Sequence, residues 1–127
     1  MNAAPALRSK LWRVPFLAVL LSTLACLGTG RPALKFSPDQ LPPATLGQPY
    51  IVTISITQNA TPVGQMSVQA ADLPPGLSMA FFKGRDYAVI GGTPQQAGTY
   101  KFTVSAWCFG TNVAGQFGHQ DYQIVVQ

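Results

Sequence analysis

Covalent, acid–base or metal chemistry in this chain has few side chains to draw on: Cys26, Cys108, His119 and four aspartates, with no glutamate. His119 and Asp121 stand two residues apart and make half of a metal site. Zinc needs three or four ligands, and no second histidine or nearby free cysteine completes the set. Calcium takes six to eight oxygens, usually from several acids, and the aspartates are scattered. No metal or cofactor is therefore expected. A serine or cysteine nucleophile would need His119 as its base. Cys108 falls on the apolar parity of its stretch, where an unpaired cysteine behaves as a small buried hydrophobe. These residues point away from an enzyme.

Cys26 belongs to a different chemistry. Residues 1–13 carry Arg8, Lys10 and Arg13 and no acid, and Val14 to Ala25 is apolar apart from Ser22 and Thr23. A basic segment followed by a short apolar run is a secretory signal, too short to span a bilayer as a helix. "TLAC", Thr23 to Cys26, resembles a bacterial lipobox, with Thr23 where leucine is commoner. That resemblance implies cleavage after Ala25, lipidation of the Cys26 thiol, and a membrane anchor made by burying acyl methylenes. Leu27 follows rather than aspartate, so in a Gram-negative host the resemblance implies the outer membrane. The competing reading is an ordinary signal peptidase cut near Ala25 or Gly28, which yields a soluble periplasmic or secreted protein. The expected plan is a signal over 1–25, a lipidated N-terminus and linker over 26–34, and a domain over 35–127.

Charge narrows the partners. The formal net charge is +4. Without the first 25 residues, Arg31, Lys35, Lys83, Arg85 and Lys101 face Asp39, Asp72, Asp86 and Asp121, which leaves +1. Nucleic-acid binding needs a clustered basic face on the folded domain, so no nucleic acid is expected.

The elements that must position these residues read as strands. Tyr50, Val52, Ile54 and Ile56 alternate with Thr53, Ser55 and Thr57. Tyr100, Phe102, Val104, Ala106 and Cys108 alternate with Lys101, Thr103, Ser105 and Trp107, and Tyr122, Ile124 and Val126 alternate with Gln123, Val125 and Gln127. A period of two is that of a half-buried strand. Shorter candidates are Met66–Ala70, Leu77–Phe81 and Tyr87–Ile90. "QNATPVG", "DLPPG", "KGRD" and "GGTPQQAG" punctuate them. About seven short strands with regular turn signals predict an all-β, Ig-like sandwich. Leu27–Leu34 lacks a period and reads as a tether reaching on the order of 25–30 Å.

"LPPATLGQPY" (Leu41–Tyr50), "LPPGLSM" (Leu73–Met79) and "IGGTPQQAGTYKFTVSA" (Ile90–Ala106) occur in that order and end in "YQIVV". This resembles the Ig-like, cadherin-like He_PIG domain of bacterial surface proteins, over about Phe36 to Val126. The resemblance implies a cadherin-like β-sandwich. Its motif residues shape turns and none is chemically reactive. The chain departs from the family in its long connection Phe109–Gln120, where many relatives have a short hairpin, and a single copy is expected where many relatives occur in tandem.

Loops on rigid scaffolds carry function, so this connection is the expected contact surface. Its candidates are Phe109, Asn112, Gln116, Phe117 and His119, with Trp107 on the outward parity before them. Trp107 either stacks on a sugar or peptide, or packs beneath the loop or against a sheet edge. The expected function is a non-catalytic envelope lipoprotein, a binding or assembly module for a protein or glycan partner. A soluble carbohydrate-binding module and a purely structural envelope protein are the alternatives.

Overall fold

The computed structural model describes residues 31–110 and 115–127. Seven strands run in the order β1 (Lys35–Ser37), β2 (Tyr50–Thr57), β3 (Val63–Ser67), β4 (Leu77–Phe81), β5 (Tyr87–Gly92), β6 (Gly98–Cys108) and β7 (Phe117–Val126). One sheet has the order β1-β2-β5-β4 and the other β3-β6-β7. All named pairs are antiparallel. Ala44 adds a parallel bridge to Val126, so the β1–β2 connection crosses from the first sheet to the edge of the second. The all-β sandwich expected from the alternation is the observed fold.

The alternation puts one face of each strand inside. Ile54, Ile90, Val104 and Ile124 are fully buried, and Phe36, Val63, Met66, Leu77 and Phe102 join them between the sheets. Burial of each such side chain stabilises by roughly 1.5–3 kcal/mol. Tyr50 and Tyr122 reach the core edge, where their hydroxyls donate to Pro42 O (2.9 Å) and Pro38 O (2.8 Å) and hold the crossing connection. Burial first, and the Asp39 charge second, push the Tyr122 phenol up to about 12.

Three boundaries differ from the sequence reading. β3 is Val63–Ser67 rather than Met66–Ala70, and Ala70–Asp72 forms a 3-10 turn. A bulge between Val63 and Gln65 lets both Val63 and Met66 face the core, which breaks the period of two. β7 begins at Phe117, so the expected loop Phe109–Gln120 gives its last four residues to a strand. The inward positions there are Gly118 and Gln120, which carry no apolar signal. The space over Gly118 is filled from outside its own strand, by Leu34 and Phe36. Leu34 is accordingly buried, and the docked part of the chain starts before Lys35.

Strand directions give the sandwich two distinct ends. At one end lie residues 31–35, the β2–β3 loop, the β4–β5 turn and the β6–β7 connection, as the pairs Lys35 with Thr57, Phe81 with Ala88, Val63 with Cys108 and Trp107 with Phe117 require. We call this the entry end. At the other end the family-like motifs meet. Gly76 and Gly92 both have positive φ (93° and 137°), and a Cβ on either would collide with the backbone of the other's segment. Pro75 O accepts from Gln95 N at 2.8 Å and Pro94 O accepts from Gly47 N at 3.0 Å, so all three motifs lock one another.

Candidate functional site

Trp107 stands on the outer face of β6, 40% exposed, between Gln65 on β3 and Phe117 on β7. Gly64 makes its seat. A Cβ built there would lie 2.5 Å from Cζ3 and 2.6 Å from Cη2 of the indole, so the six-membered ring rests on bare backbone. Phe109 meets Trp107 edge-on, with centroids 5.1 Å apart and planes at 78°. Phe117, 69% exposed, pairs with Trp107 across the β6–β7 ladder. Three aromatic rings thus form one exposed cluster. The largest exposed apolar patch on a monomer is often a functional one.

The backbone beneath is held firmly. Phe109 N donates to Pro62 O (3.1 Å), and its own carbonyl accepts from Thr61 Oγ1 (2.6 Å). Asp86 braces the same end by accepting from Asn59 Nδ2 (3.1 Å) and Val63 N (3.2 Å). The asparagine of the Asn59-Ala60-Thr61 stretch is thus tied into the β2–β3 loop.

The expected contact residues separate into three groups. Trp107, Phe109 and Phe117 come together. His119 sits exposed opposite Ser105, two positions along β7 from Phe117 and on the same outer face. Gln116, expected on the contact surface, is instead buried. Its Oε1 accepts from Ala60 N (2.7 Å), and its Nε2 donates to Pro32 O (2.9 Å) and Gln58 O (3.1 Å). The reason is parity: Gln116 continues the inward row of β7, where a polar side chain survives only with partners. Asn112 and Cys26 lie outside the described residues.

The residues able to do chemistry are kept apart. Cys108 is buried and unpaired in the core, while His119 faces outward from the neighbouring strand. Desolvation, and then the Asp86 carboxylate, push the Cys108 thiol up from its ordinary value. A thiol so placed is a poor nucleophile. The Asp121 carboxylate accepts from Thr103 Oγ1 at 2.6 Å. Among the described residues no three His, Cys, Asp or Glu side chains gather as metal ligands do.

Sequence reasoning missed Gly64, because an isolated glycine in an apolar stretch signals nothing without its partner strand. It also missed Phe82, which is exposed on the β4–β5 turn. Farther along the β6–β7 sheet, Leu41, Lys101 and Tyr122 help line an open depression of about 830 Å³.

No curated protein matches the chain. Among solved structures, the SrpA adhesin from Streptococcus sanguinis has a similar fold, with a TM-score of 0.56 at 15% sequence identity. The likeness covers 79% of this chain and 59% of that one, so the chain spans about three fifths of the adhesin chain it matches. Among the described residues no helix is long and apolar enough to cross a membrane. The He_PIG family model, described as "Putative Ig domain", matches residues 32–127, and the chain belongs to that family of Ig-like domains.

Proposed function

We propose that this protein is a non-catalytic binding or assembly module held at the bacterial envelope by a lipid on Cys26. Its contact surface is the cluster Trp107, Phe109 and Phe117, with His119 beside it. One observation carries the contact surface: an indole seated against Gly64 and left 40% exposed, with the Phe109 ring edge-on to it and the exposed Phe117 opposite it on the next strand. Aromatic anchors on a stiff scaffold are how small surfaces bind, because little rotamer freedom is lost. The separation of Cys108 from His119 supports a role without catalysis. The sharing of this fold with an adhesin chain agrees with a role in contact rather than turnover.

The test is photocrosslinking in the native host, with benzoylphenylalanine placed at Phe117 or at Ile51, which is 78% exposed on the other sheet. Adducts are expected from position 117 and not from 51. No adduct from 117 overturns the contact surface. The anchor is tested by intact mass: a mature chain starting at Cys26 with added acyl mass, lost in Cys26→Ser, is expected.

A further inference from the structure

The entry end is polarised in charge as well as in aromatic content. Of the five basic residues after residue 30, Arg31, Lys35, Lys83 and Arg85 lie at this end, and only Lys101 lies elsewhere. Of the four acids only Asp86 is there, and its carboxylate is tied to Asn59 and the Val63 amide. Lys35, Lys83 and Arg85 are exposed and Arg31 is half-buried. Phe82, Trp107, Phe109 and Phe117 are the exposed rings of the same end. Asp39, Asp72 and Asp121 occupy the rest of the domain.

The chain enters at this end too. Pro32 O is fixed by Gln116 Nε2, and Leu34 packs over Gly118, one residue before and one residue after Phe117's own position respectively. Cys26 is six residues before Pro32. Fully extended, that stretch reaches about 20 Å. A lipid on Cys26 would therefore hold the basic and aromatic end, rather than the acidic remainder, within reach of the bilayer.

Size and charge decide the occupant. The three clustered rings, each of roughly 150–250 Å² and about half exposed, offer on the order of 200–400 Å², short of the roughly 800 Å² per partner in a stable protein interface. A bilayer requires no such area, because the lipid anchor supplies the main affinity. Tryptophan favours the headgroup level, exposed phenylalanine rings settle at the boundary of headgroups and acyl chains, and basic residues beside them are drawn to anionic lipids.

We infer that the entry end of the sandwich is a membrane-contact surface, with Trp107 resting at the headgroup level of an anionic bilayer, Phe82, Phe109 and Phe117 at the boundary of headgroups and acyl chains, and Lys35, Lys83 and Arg85 facing its lipids. This rests on the anchor and contact surface proposed above, and it names their shared occupant. The domain would stand on the membrane by this end and offer the opposite end, with Asp72 and the interlocked turns, to the aqueous side.

Trp107 is its own probe, since Trp12 is the only other tryptophan. The lipidated chain, from which cleavage before Cys26 removes Trp12, is purified from bacterial membranes and reconstituted into vesicles of phosphatidylglycerol with phosphatidylethanolamine, or of phosphatidylcholine alone. Brominated lipids are expected to quench Trp107 at least twofold in the anionic vesicles, with iodide access reduced. Lys83→Glu with Arg85→Glu is expected to reverse most of this, since each basic residue contributes about fivefold to partition. Both positions are exposed on a turn, and unchanged near-ultraviolet circular dichroism checks the fold. Trp107 left open to iodide and unquenched by brominated lipid overturns the inference. So does quenching that is equal in both lipids and indifferent to charge reversal. A protein or saccharide adduct from position 117, without lipid quenching, removes the membrane and leaves the contact surface standing.

Discussion

Trp107 rests its six-membered ring on the backbone of Gly64, at a distance that leaves no room for a methyl group. The pair crosses from β6 to β3, beside the bulge that separates Val63 from Gln65. Gly64→Ala must therefore move the indole. Overpacking of this kind costs about 1–3 kcal/mol, and at an exposed ring the lower part of that range is expected. The measurement is Trp107 emission and acrylamide quenching in a Trp12→Phe background, beside a urea melt. A red-shifted, more accessible indole with a loss of about 1 kcal/mol is the expected result.

Gln116 ties the entering chain, the β2–β3 loop and the β6–β7 connection with one amide. Gln116→Ala strands Pro32 O, Gln58 O and Ala60 N at partly buried positions. Leaving such groups unpaired costs about 1–3 kcal/mol each where water cannot reach them, and a total near 3 kcal/mol is expected here because some can rehydrate. Gln116→Glu keeps the acceptor for Ala60 N but sets a carboxylate against two carbonyls, so it should fail to rescue. Hydrogen exchange at the Ala60 amide, with denaturant melts of both variants, checks this.

The fold was legible because its signals are local. Tyr50, Ile54 and Ile56 bury themselves by parity alone, and Gly76 and Gly92 mark turns whatever their partners. The site was legible only in part. Strand parity places Trp107 outward, and Phe109 and Phe117 are candidates as residues of the long connection that follows it. Gln116 was misplaced because an inward polar residue looks like a loop residue until its three partners from distant segments are known. The start of β7 was hidden for the same reason: Leu34 and Phe36 fill the room above Gly118 from the far end of the sequence. The charge polarity needed topology, since Lys35, Lys83 and Arg85 meet only when strand directions bring their turns to one end.

Tyr122 makes stability depend on alkaline pH. Its folded-state value, raised to about 12, stands above the ordinary phenol value of 10.0. The unfolded chain therefore loses this proton first. The contribution is whole below about pH 10 and is lost as pH climbs through about 12. The gap between 10.0 and about 12 corresponds to at most about 3 kcal/mol. Urea melts from pH 8 to 12 should show stability falling over that window. Tyr122→Phe should flatten the fall while lowering stability at pH 8, because the hydrogen bond to Pro38 O goes with the hydroxyl.

Cys108 offers a direct reading of how tightly the entry end is closed. The thiol is 2% exposed in the core, and its backbone N donates to Gln116 O at 2.8 Å. Burial and the nearby Asp86 charge both disfavour the thiolate, which is the reacting form. Alkylation by iodoacetamide at pH 8, followed at the Cys108 peptide by mass spectrometry, should therefore be slower than in the denatured chain by two or more orders of magnitude, on the order expected when reaction requires opening. Asp86→Asn removes the charge but keeps an acceptor for the Val63 amide, so it should speed the reaction only modestly. Gln116→Ala loosens the whole end and should speed it more. The opposite ranking would mean that charge, rather than closure, protects the thiol.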